Sequence, residues 1–347
     1  GEKAQALFGL NYFNFQRPTD KNGDGLISPP EIAGDVNGDG YSDVIVGAYN
    51  YSGGNSNEGR AWVHYGNPSG LSLTANVTLD DANQDGAGFG NSVAAAGDVN
   101  GDGYGDVIVG ARYYDNGGNT DEGQAFLYYG SAAGLSVSPG SNPNDANQLG
   151  ANFGVYVAGA GDVNGDGYSD IIIGASGYDG SAGANEGRAY VYYGGISGLS
   201  LSPNRTLSDA GQAGAAFGIR VTGVGDVNGD GFADVVVTGI LFDASKGRAW
   251  LYYGHATTGL SATPDVILDN NSGNAGDYFG YGVSSAGDVN GDGYNDVMIG
   301  IPQYDNPPFS EDGRVFVYYG GAAGLSSIPS IILRDATEDH EFFGIST

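Results

Sequence analysis

Apolar residues in this chain come in short, dense runs. Val44-Ile45-Val46, Val107-Ile108-Val109, Ile171-Ile172-Ile173, Val235-Val236-Val237 and Val297-Met298-Ile299 each follow an acidic, glycine-broken stretch and run into Gly within two residues. β-Branched runs of this length, bounded by turn residues, predict strands buried on both faces. Ahead of each later run lies a strand-length segment of small residues that opens on Phe-Gly: Phe89-Gly90, Phe153-Gly154, Phe217-Gly218 and Phe279-Gly280. Behind each run comes an alternating, aromatic segment of the type RAYVYYG, then GLS, then a weaker segment such as NRTLSDA. Every unit therefore predicts four strands, and almost nothing along the chain has helical periodicity.

The unit recurs at a fixed period. Asp35, Asp98, Asp162, Asp226 and Asp288 open the five acidic stretches, at spacings of 62 to 64 residues. One supersecondary unit repeated in this way predicts an all-β fold, a β-propeller of four-stranded blades with five repeats and hence five blades. The Ala, Gly and Ser of the first strand suit the narrow centre of a radial assembly. A linear β-solenoid is the rival, although its coils are usually shorter. The ends predict closure. Phe8 lies well ahead of Asp35, so unit one carries an insert, while the C-terminal DATEDHEFFGIST reads as the start of a further unit. Residues 341–347 are expected to give the blade holding Asp35 its inner strand, closing the ring and removing free sheet edges. The whole of 1–347 then forms one domain, with the insert at about 10–33. The chain starts at Gly1 without Met or a leader, which reads as a processed or trimmed start. A longer parent of six or seven blades stays open.

Composition narrows the function. An apolar fraction of 40% over 347 residues suffices for a core, and 65 Gly without a G-X-Y period imply many tight turns. With 41 Asp+Glu against 12 Lys+Arg, the net charge is −29, which sets aside nucleic acid and anionic membrane surfaces as partners. No apolar run is long enough to span a bilayer. The absence of Cys removes disulfides, thiolate metal sites and Cys nucleophiles.

The acidic stretches carry the clearest chemistry. Positions 1, 3, 5, 7 and 9 are Asp35, Asn37, Asp39, Tyr41 and Asp43 in the first copy. They are Asp98, Asn100, Asp102, Tyr104 and Asp106 in the second, and Asp162, Asn164, Asp166, Tyr168 and Asp170 in the third. Asp226, Asn228, Asp230, Phe232 and Asp234 follow, then Asp288, Asn290, Asp292, Tyr294 and Asp296. Hard oxygens at alternating positions, a Gly at position 6 for the sharp bend and a backbone carbonyl at position 7 are what Ca²⁺ requires. Mg²⁺ prefers fewer protein ligands and stricter geometry. A plain Asx-rich turn is the bland reading, but three crowded carboxylates without a cation would repel. The insert holds a sixth candidate. Asp20, Asn22, Asp24, Leu26 and Glu31 match an EF-hand loop, although Pro18, Pro29 and Pro30 deny it flanking helices.

The Phe-Gly pair, the acidic loop and the Gly-Ala after the apolar run, as in GDVNGDGYSDVIVGA, resemble the FG-GAP repeat of integrin α-subunit propellers. The resemblance covers nearly the whole chain. It implies a Ca²⁺-binding β-propeller, usually seven-bladed, used for extracellular recognition. Similar repeats occur in fungal propeller lectins and beside catalytic domains of some secreted enzymes. This sequence departs from the family in repeat number and in having no appended domain. The 20–31 loop resembles an isolated EF-hand-like or dockerin-like loop.

Ligand contacts are expected on the face opposite the acidic loops. Tyr51, Tyr114, Tyr178, Phe242 and Tyr304 fall at equivalent loop positions there, and four are followed by Asp115, Asp179, Asp243 and Asp305. Such aromatics suit sugars or protein side chains, or they cap their own blades. Arg60, Arg188, Arg248 and Arg314, with Glu58 or Glu186 close in sequence, read as structural inter-blade ion pairs more readily than as ligand contacts. The three His residues are scattered, and no nucleophile elbow, P-loop, Rossmann or zincin pattern is present, so catalysis is not expected. The reading is a calcium-stabilised recognition or adhesion module, secreted or at the cell surface, that binds an extracellular protein or glycan. It does not insert into membranes. Its alternatives are a glycan-specific lectin and a structural subunit that self-assembles by exchange of its terminal strand. A secreted polysaccharide-active enzyme stands behind these. Asn76, Asn204 and Asn270 lie in glycosylation sequons.

Overall fold

The computed structural model describes residues 34–256, 258–270, 273–304, 313–334 and 343–344. The insert residues Asp20, Asn22, Asp24, Leu26 and Glu31 lie outside them, as does Asp305. Among the described residues the chain forms five antiparallel sheets, one per repeat. The first holds β1 (Val44–Ala48), β2 (Arg60–His64) and β3 (Val77–Leu79). The second holds β4 (Phe89–Gly97), β5 (Asp106–Ala111) and β6 (Gln124–Tyr128). The third has four strands, β7 (Phe153–Gly161), β8 (Asp170–Ala175), β9 (Arg188–Tyr192) and β10 (Arg205–Leu207). The fourth has β11 (Arg220–Gly225), β12 (Asp234–Gly239), β13 (Arg248–Tyr252) and β14 (Val266–Asp269). The fifth has β15 (Val283–Gly287), β16 (Asp296–Ile301), β17 (Arg314–Tyr318) and β18 (Ile331–Leu333).

The apolar runs became the strands β1, β5, β8, β12 and β16, and three of them, β5, β8 and β12, are buried at every position. Burial on both faces follows from their place between neighbouring sheets. The core is accordingly four slabs, one in each gap between consecutive sheets. Phe89, Phe153, Phe217 and Phe279 sit fully buried in these slabs. Each meets the third-strand aromatic of its own sheet, as in the Phe217–Trp250 pair at 5.0 Å between ring centroids.

The Phe-Gly pairs act as hooks onto the sheet before. Phe89 bridges Gly59, Phe153 bridges Gly123, Phe217 bridges Gly187 and Phe279 bridges Gly247, all in parallel sense. The backbones approach so closely that a Cβ on Gly174 would collide with the carbonyl of Gly218. That contact explains why the Gly after the apolar run and the Gly of the following Phe-Gly recur together in four units, while unit four carries Thr238 against Gly280.

Two expectations about this architecture need correction. The blades are not uniformly four-stranded. In the second sheet the fourth strand shrinks to a single bridge, Leu127 to Ser141, beside Pro139 and Pro143, which have no N–H to give a ladder. Among the described residues β1 is the edge of the first sheet. The expected ring closure, with the C-terminal strand pairing with the first blade, is also overturned. Among the described residues no sheet is closed or curled, and the packing series β1, β4, β7, β11, β15 has no β15–β1 packing like that between its neighbours. The described C-terminal residues hook the fifth sheet instead, through a Phe343–Gly313 bridge. The earlier Phe-Gly pairs also lead into the first strand of the next sheet, whereas among the described residues no strand follows Phe343-Gly344.

Two tyrosines of the YYG signature stitch the sheets. The first donates its hydroxyl backwards: Tyr128 to Asp81, Tyr192 to Asp145 and Tyr252 to Asp209, at 2.7–2.8 Å. The second accepts from the next unit: Tyr65, Tyr129, Tyr193 and Tyr253 receive the N–H of Leu135, Leu199, Leu260 and Leu325 at 3.0–3.1 Å. A Cβ on Gly134, Gly198, Gly259 or Gly324 would strike the same tyrosine hydroxyl, which accounts for those four glycines.

Candidate metal centres in the acidic loops

Each acidic stretch is a tight loop that enters the buried strand. In the second loop the Asp98 carboxylate accepts N–H groups from Gly101 at 2.7 Å, Asp102 at 3.1 Å and Gly103 at 2.8 Å. Asn100 accepts from the Asp102 backbone at 3.0 Å, and its amide donates to the Asp102 carboxylate at 3.0 Å. Tyr104 N–H closes the turn onto Asp102 at 3.0 Å. Gly101 and Gly103 both hold positive φ, 74° and 89°, which L side chains resist. The other four loops repeat this pattern, as shown by the N–H of Gly40, Gly167, Gly231 and Gly293 donating to Asp35, Asp162, Asp226 and Asp288.

Position 9 is different. Asp43, Asp106, Asp170, Asp234 and Asp296 are buried at the head of each apolar strand. Asp170 accepts the N–H of Val163 at 2.9 Å and of Gly194 at 2.9 Å, tying the loop to the end of the third strand. Burial pushes these carboxyls up, to about 7 for Asp106 and about 8 for Asp170. The two backbone N–H groups pull the other way, and the charges at positions 1 and 5 add a further upward push.

The structure brings positions 1, 3, 5 and 9 of each loop to one bend and turns the side-chain oxygens onto the loop's own amides. Among the described residues, no three His, Cys, Asp or Glu side chains converge as a ready metal cage. The donor chemistry nevertheless suits a hard dication. The set is all oxygen, and the position-9 carboxyl already feels the like charges of positions 1 and 5.

The loop aromatics on the opposite face are half-buried and engaged within their own sheets. Arg60, Arg188, Arg248 and Arg314 lie over Tyr51, Tyr178, Phe242 and Tyr304, with guanidinium-to-ring distances of 3.8–4.2 Å. Tyr51, Tyr114 and Phe242 also make edge contacts with Trp62, Phe126 and Trp250. Two of these arginines pair within their own unit rather than between blades. Arg60 pairs with Asp80 at 2.7 Å and Arg248 with Asp269 at 3.0 Å, both within one unit. Glu58 takes a role that its sequence context did not reveal. It is buried and accepts N–H groups from Gly53, Gly54 and Asn55, which hold its carboxyl below the usual range. Unit four departs at this point. Lys246 stands where the Glu does and pairs with Asp243 at 2.8 Å. Its loop makes a left-handed turn through Asp243, Ala244 and Ser245, at φ 47°, 57° and 65°. Asp277, where the other units have a buried Ala, accepts from Asn274 N–H and Asn270 and restores a buried carboxylate.

The comparisons with known proteins fall on these features. The FG-GAP repeat model matches residues 32–64, 89–128, 154–192, 217–252 and 279–318, more than half of the chain. The chain belongs to the FG-GAP repeat family. Integrin alpha pat-2 of Caenorhabditis elegans is 33% identical over 254 residues, 67% of this chain and 20% of that protein. The Caenorhabditis briggsae protein of the same name is 33% identical over 221 residues, 59% of this chain and 17% of its own. Integrin alpha-4 of Xenopus laevis is 31% identical over 224 residues, 65% and 20%. The FG-GAP chain thus spans about a fifth of the length of these relatives. A solved structure of the Dos1 propeller superimposes with a TM-score of 0.43 at 13% identity, covering 80% of this chain and 53% of that one. FG-GAP repeats are generally calcium-binding. Kinship with the integrin α subunits places the chain among adhesion-type β-propeller proteins and argues against enzymatic activity. Among the described residues no helix is long and apolar enough to cross a membrane.

Proposed function

We propose that the chain is a calcium-stabilised extracellular recognition module. Each acidic loop takes one Ca²⁺ through the side chains at positions 1, 3, 5 and 9 and the carbonyl at position 7. The 20–31 loop takes a sixth through Asp20, Asn22, Asp24, Leu26 and Glu31. Bound there, the ion supplies charge neutralisation. The protein's own part is to hold the loop in register. The position-9 carboxylate ties the bend to the strand end, and Gly at positions 4 and 6 allows the left-handed turns. The single observation that supports this most strongly is the same acidic loop in five copies, each with a buried carboxylate beside two more.

Recognition of a protein or glycan belongs on the opposite face, where the units differ from one another. At one register point of the inner strands the residues are Ser92, Tyr156, Arg220 and Gly282. Arg220 lies between the rings of Tyr156 and Tyr281, at 5.0 and 5.2 Å. Tyr51, Tyr114, Tyr178, Phe242 and Tyr304 support the loops around this point and offer their exposed edges to the same ligand. The test is binding of the calcium-loaded chain to arrayed glycans and to purified extracellular matrix proteins, repeated with Arg220→Ala. The proposal expects a binder that the variant and chelation both weaken. Binding that is indifferent to Arg220→Ala would move recognition elsewhere.

A further inference from the structure

The connector between the apolar strand and the aromatic strand is longer in the first three units than in the fourth. It runs over residues 49–59, 112–123 and 176–187 there, but only over 240–247 in unit four. The longer connectors fold back over a buried Glu that gathers their own N–H groups, Glu58 those of Gly53, Gly54 and Asn55, and Glu186 that of Ala182. In unit one this brings Gly53 against the Arg60 guanidinium, so close that a Cβ would strike it. The Asp after the loop aromatic is spent in the same way. Asp115 accepts the N–H of Asp121 at 2.8 Å and Asp179 that of Asn185 at 2.9 Å. Gln84 and Gln148 of the preceding units clamp the backbone of these Asp residues, each accepting the N–H and donating to the carbonyl.

Unit four lacks the residues for this fold-back, and the space stays open. A cavity of about 200 Å³ is lined there by Phe242, Asp243, Lys246, Arg248, Asp269 and Asn270. Lys246 stands in place of the buried Glu, and Asp243 turns its carboxylate to it at 2.8 Å instead of stapling the loop. Arg248 meets Asp269 at 3.0 Å and lies over the Phe242 ring at 4.2 Å. The Gln clamp shrinks to one long bond, from the Asp243 N–H to Gln212 at 3.4 Å. Asp243, Ala244 and Ser245 take left-handed φ with no glycine among them, a conformation that L residues resist and that persists only where the surroundings impose it. A shortened connector, a reversed charge and a strained turn converge on one opening.

The groups around the opening select its ligand. Two cations and two carboxylates line it, already paired, so it carries no net charge. An anion would have to displace Asp243 or Asp269 in a chain of net charge −29, and an amine would have to displace Lys246 or Arg248. Hydroxyls displace neither. The cations keep N–H groups beyond those their carboxylates take, and the carboxylates keep lone pairs, so a hydroxyl accepts from one and donates to the other. Adjacent hydroxyls on a sugar ring present that pattern. Arg248 covers the face of Phe242, so the ring is held by its hydroxyls rather than by stacking. The volume lies below the roughly 300–1,000 Å³ of pockets for drug-sized ligands, which fits a single sugar ring at a chain end.

We propose that this opening is a subsite for the terminal hexose of a neutral glycan, its hydroxyls shared between the Lys246–Asp243 and Arg248–Asp269 pairs. The inference rests on the reading of this face as the recognition face and names the ligand that unit four takes.

Glycan arrays with neutral and acidic ends, probed with the calcium-loaded full chain, are followed by calorimetric titration of the methyl glycoside of the best-bound neutral hexose. Binding to neutral ends is expected. Lys246→Glu, which restores the residue of the other units, and Asp243→Asn, which keeps a side chain tolerant of the left-handed turn, each weaken it by roughly tenfold or more. Lys246→Arg retains it. Both side chains are well exposed, and a circular-dichroism melt checks that each variant is folded. Glycan binding that Arg220→Ala weakens and Lys246→Glu does not would keep the recognition face and overturn the subsite. Binding confined to uronate or sialate ends, or no glycan binding by a chain that binds matrix proteins, would also overturn it.

Discussion

Tyr192 and Tyr318 occupy the same strand position in different units, and the structure assigns them opposite consequences on losing a hydroxyl. Both are fully buried. Tyr192 donates to the Asp145 carboxylate in the preceding unit at 2.7 Å, a short charge-assisted bond. Asn270 stands at the sequence position of that Asp, its amide is committed to Asp277, and among the described residues the Tyr318 hydroxyl has no partner. Tyr192→Phe removes a bond to a charged acceptor, which is worth about 1.5–3 kcal/mol where the acceptor is left dry. Asp145 is only half-buried, so water regains it, and a loss of about 1–1.5 kcal/mol is the expected value. Tyr318→Phe removes a hydroxyl that gained nothing on burial, so it is neutral or stabilises by up to about 1 kcal/mol. Urea unfolding in saturating Ca²⁺, followed by fluorescence, gives both values under one condition. Equal destabilisation by the two substitutions would refute the reasoning, since ring packing, which both retain, would then dominate.

Other perturbations separate the remaining parts of the account. Gly187→Ala places a Cβ against the Phe217 backbone at φ 87°, and should cost about 3 kcal/mol or more, read as a drop in melting temperature. Glu186→Ala leaves the N–H groups of Ala182 and Gly211 without their acceptor, and amide exchange should quicken in that loop while β8 stays protected. Burial holds the carboxyls of Asp81 and Asp209 above their ordinary value despite the tyrosine hydroxyls. A group whose folded pKa is raised contributes its stability fully below the unfolded value of 3.8 and loses it as pH rises through the folded one. Asp81→Asn should therefore flatten that part of the pH–stability curve; a curve unchanged by the substitution counts against the assignment.

The sequence made the units legible because each signal was local and repeated. An acidic loop, a β-branched run and a Phe-Gly pair fixed five sheets, their second strands and the buried phenylalanines. What it hid was long-range. The roles of the two tyrosines in YYG depend on Asp81 or Leu135 arriving from a neighbouring unit, although the recurrence of YYG and GLS together was a visible hint. Glu58 reads as an ion-pair partner of Arg60 because the two are near in sequence, yet its oxygens serve three loop amides. Ring closure failed for a related reason. Phe343-Gly344 looks like the opening of a first strand and hooks the unit before as the earlier Phe-Gly pairs do, but among the described residues no strand follows it. The departure in unit four was readable only as a missing Glu; that Asp277 supplies the carboxylate from another segment required the fold.

Calcium titration of the EDTA-stripped chain, with a melt recorded at each point, tests the central claim most directly. The account predicts one ion for each of the five acidic loops, a sixth lost on Asp20→Ala/Asp24→Ala, and a melting temperature that climbs as the loops fill. A stripped chain that binds no calcium and melts where the loaded one does would contradict it.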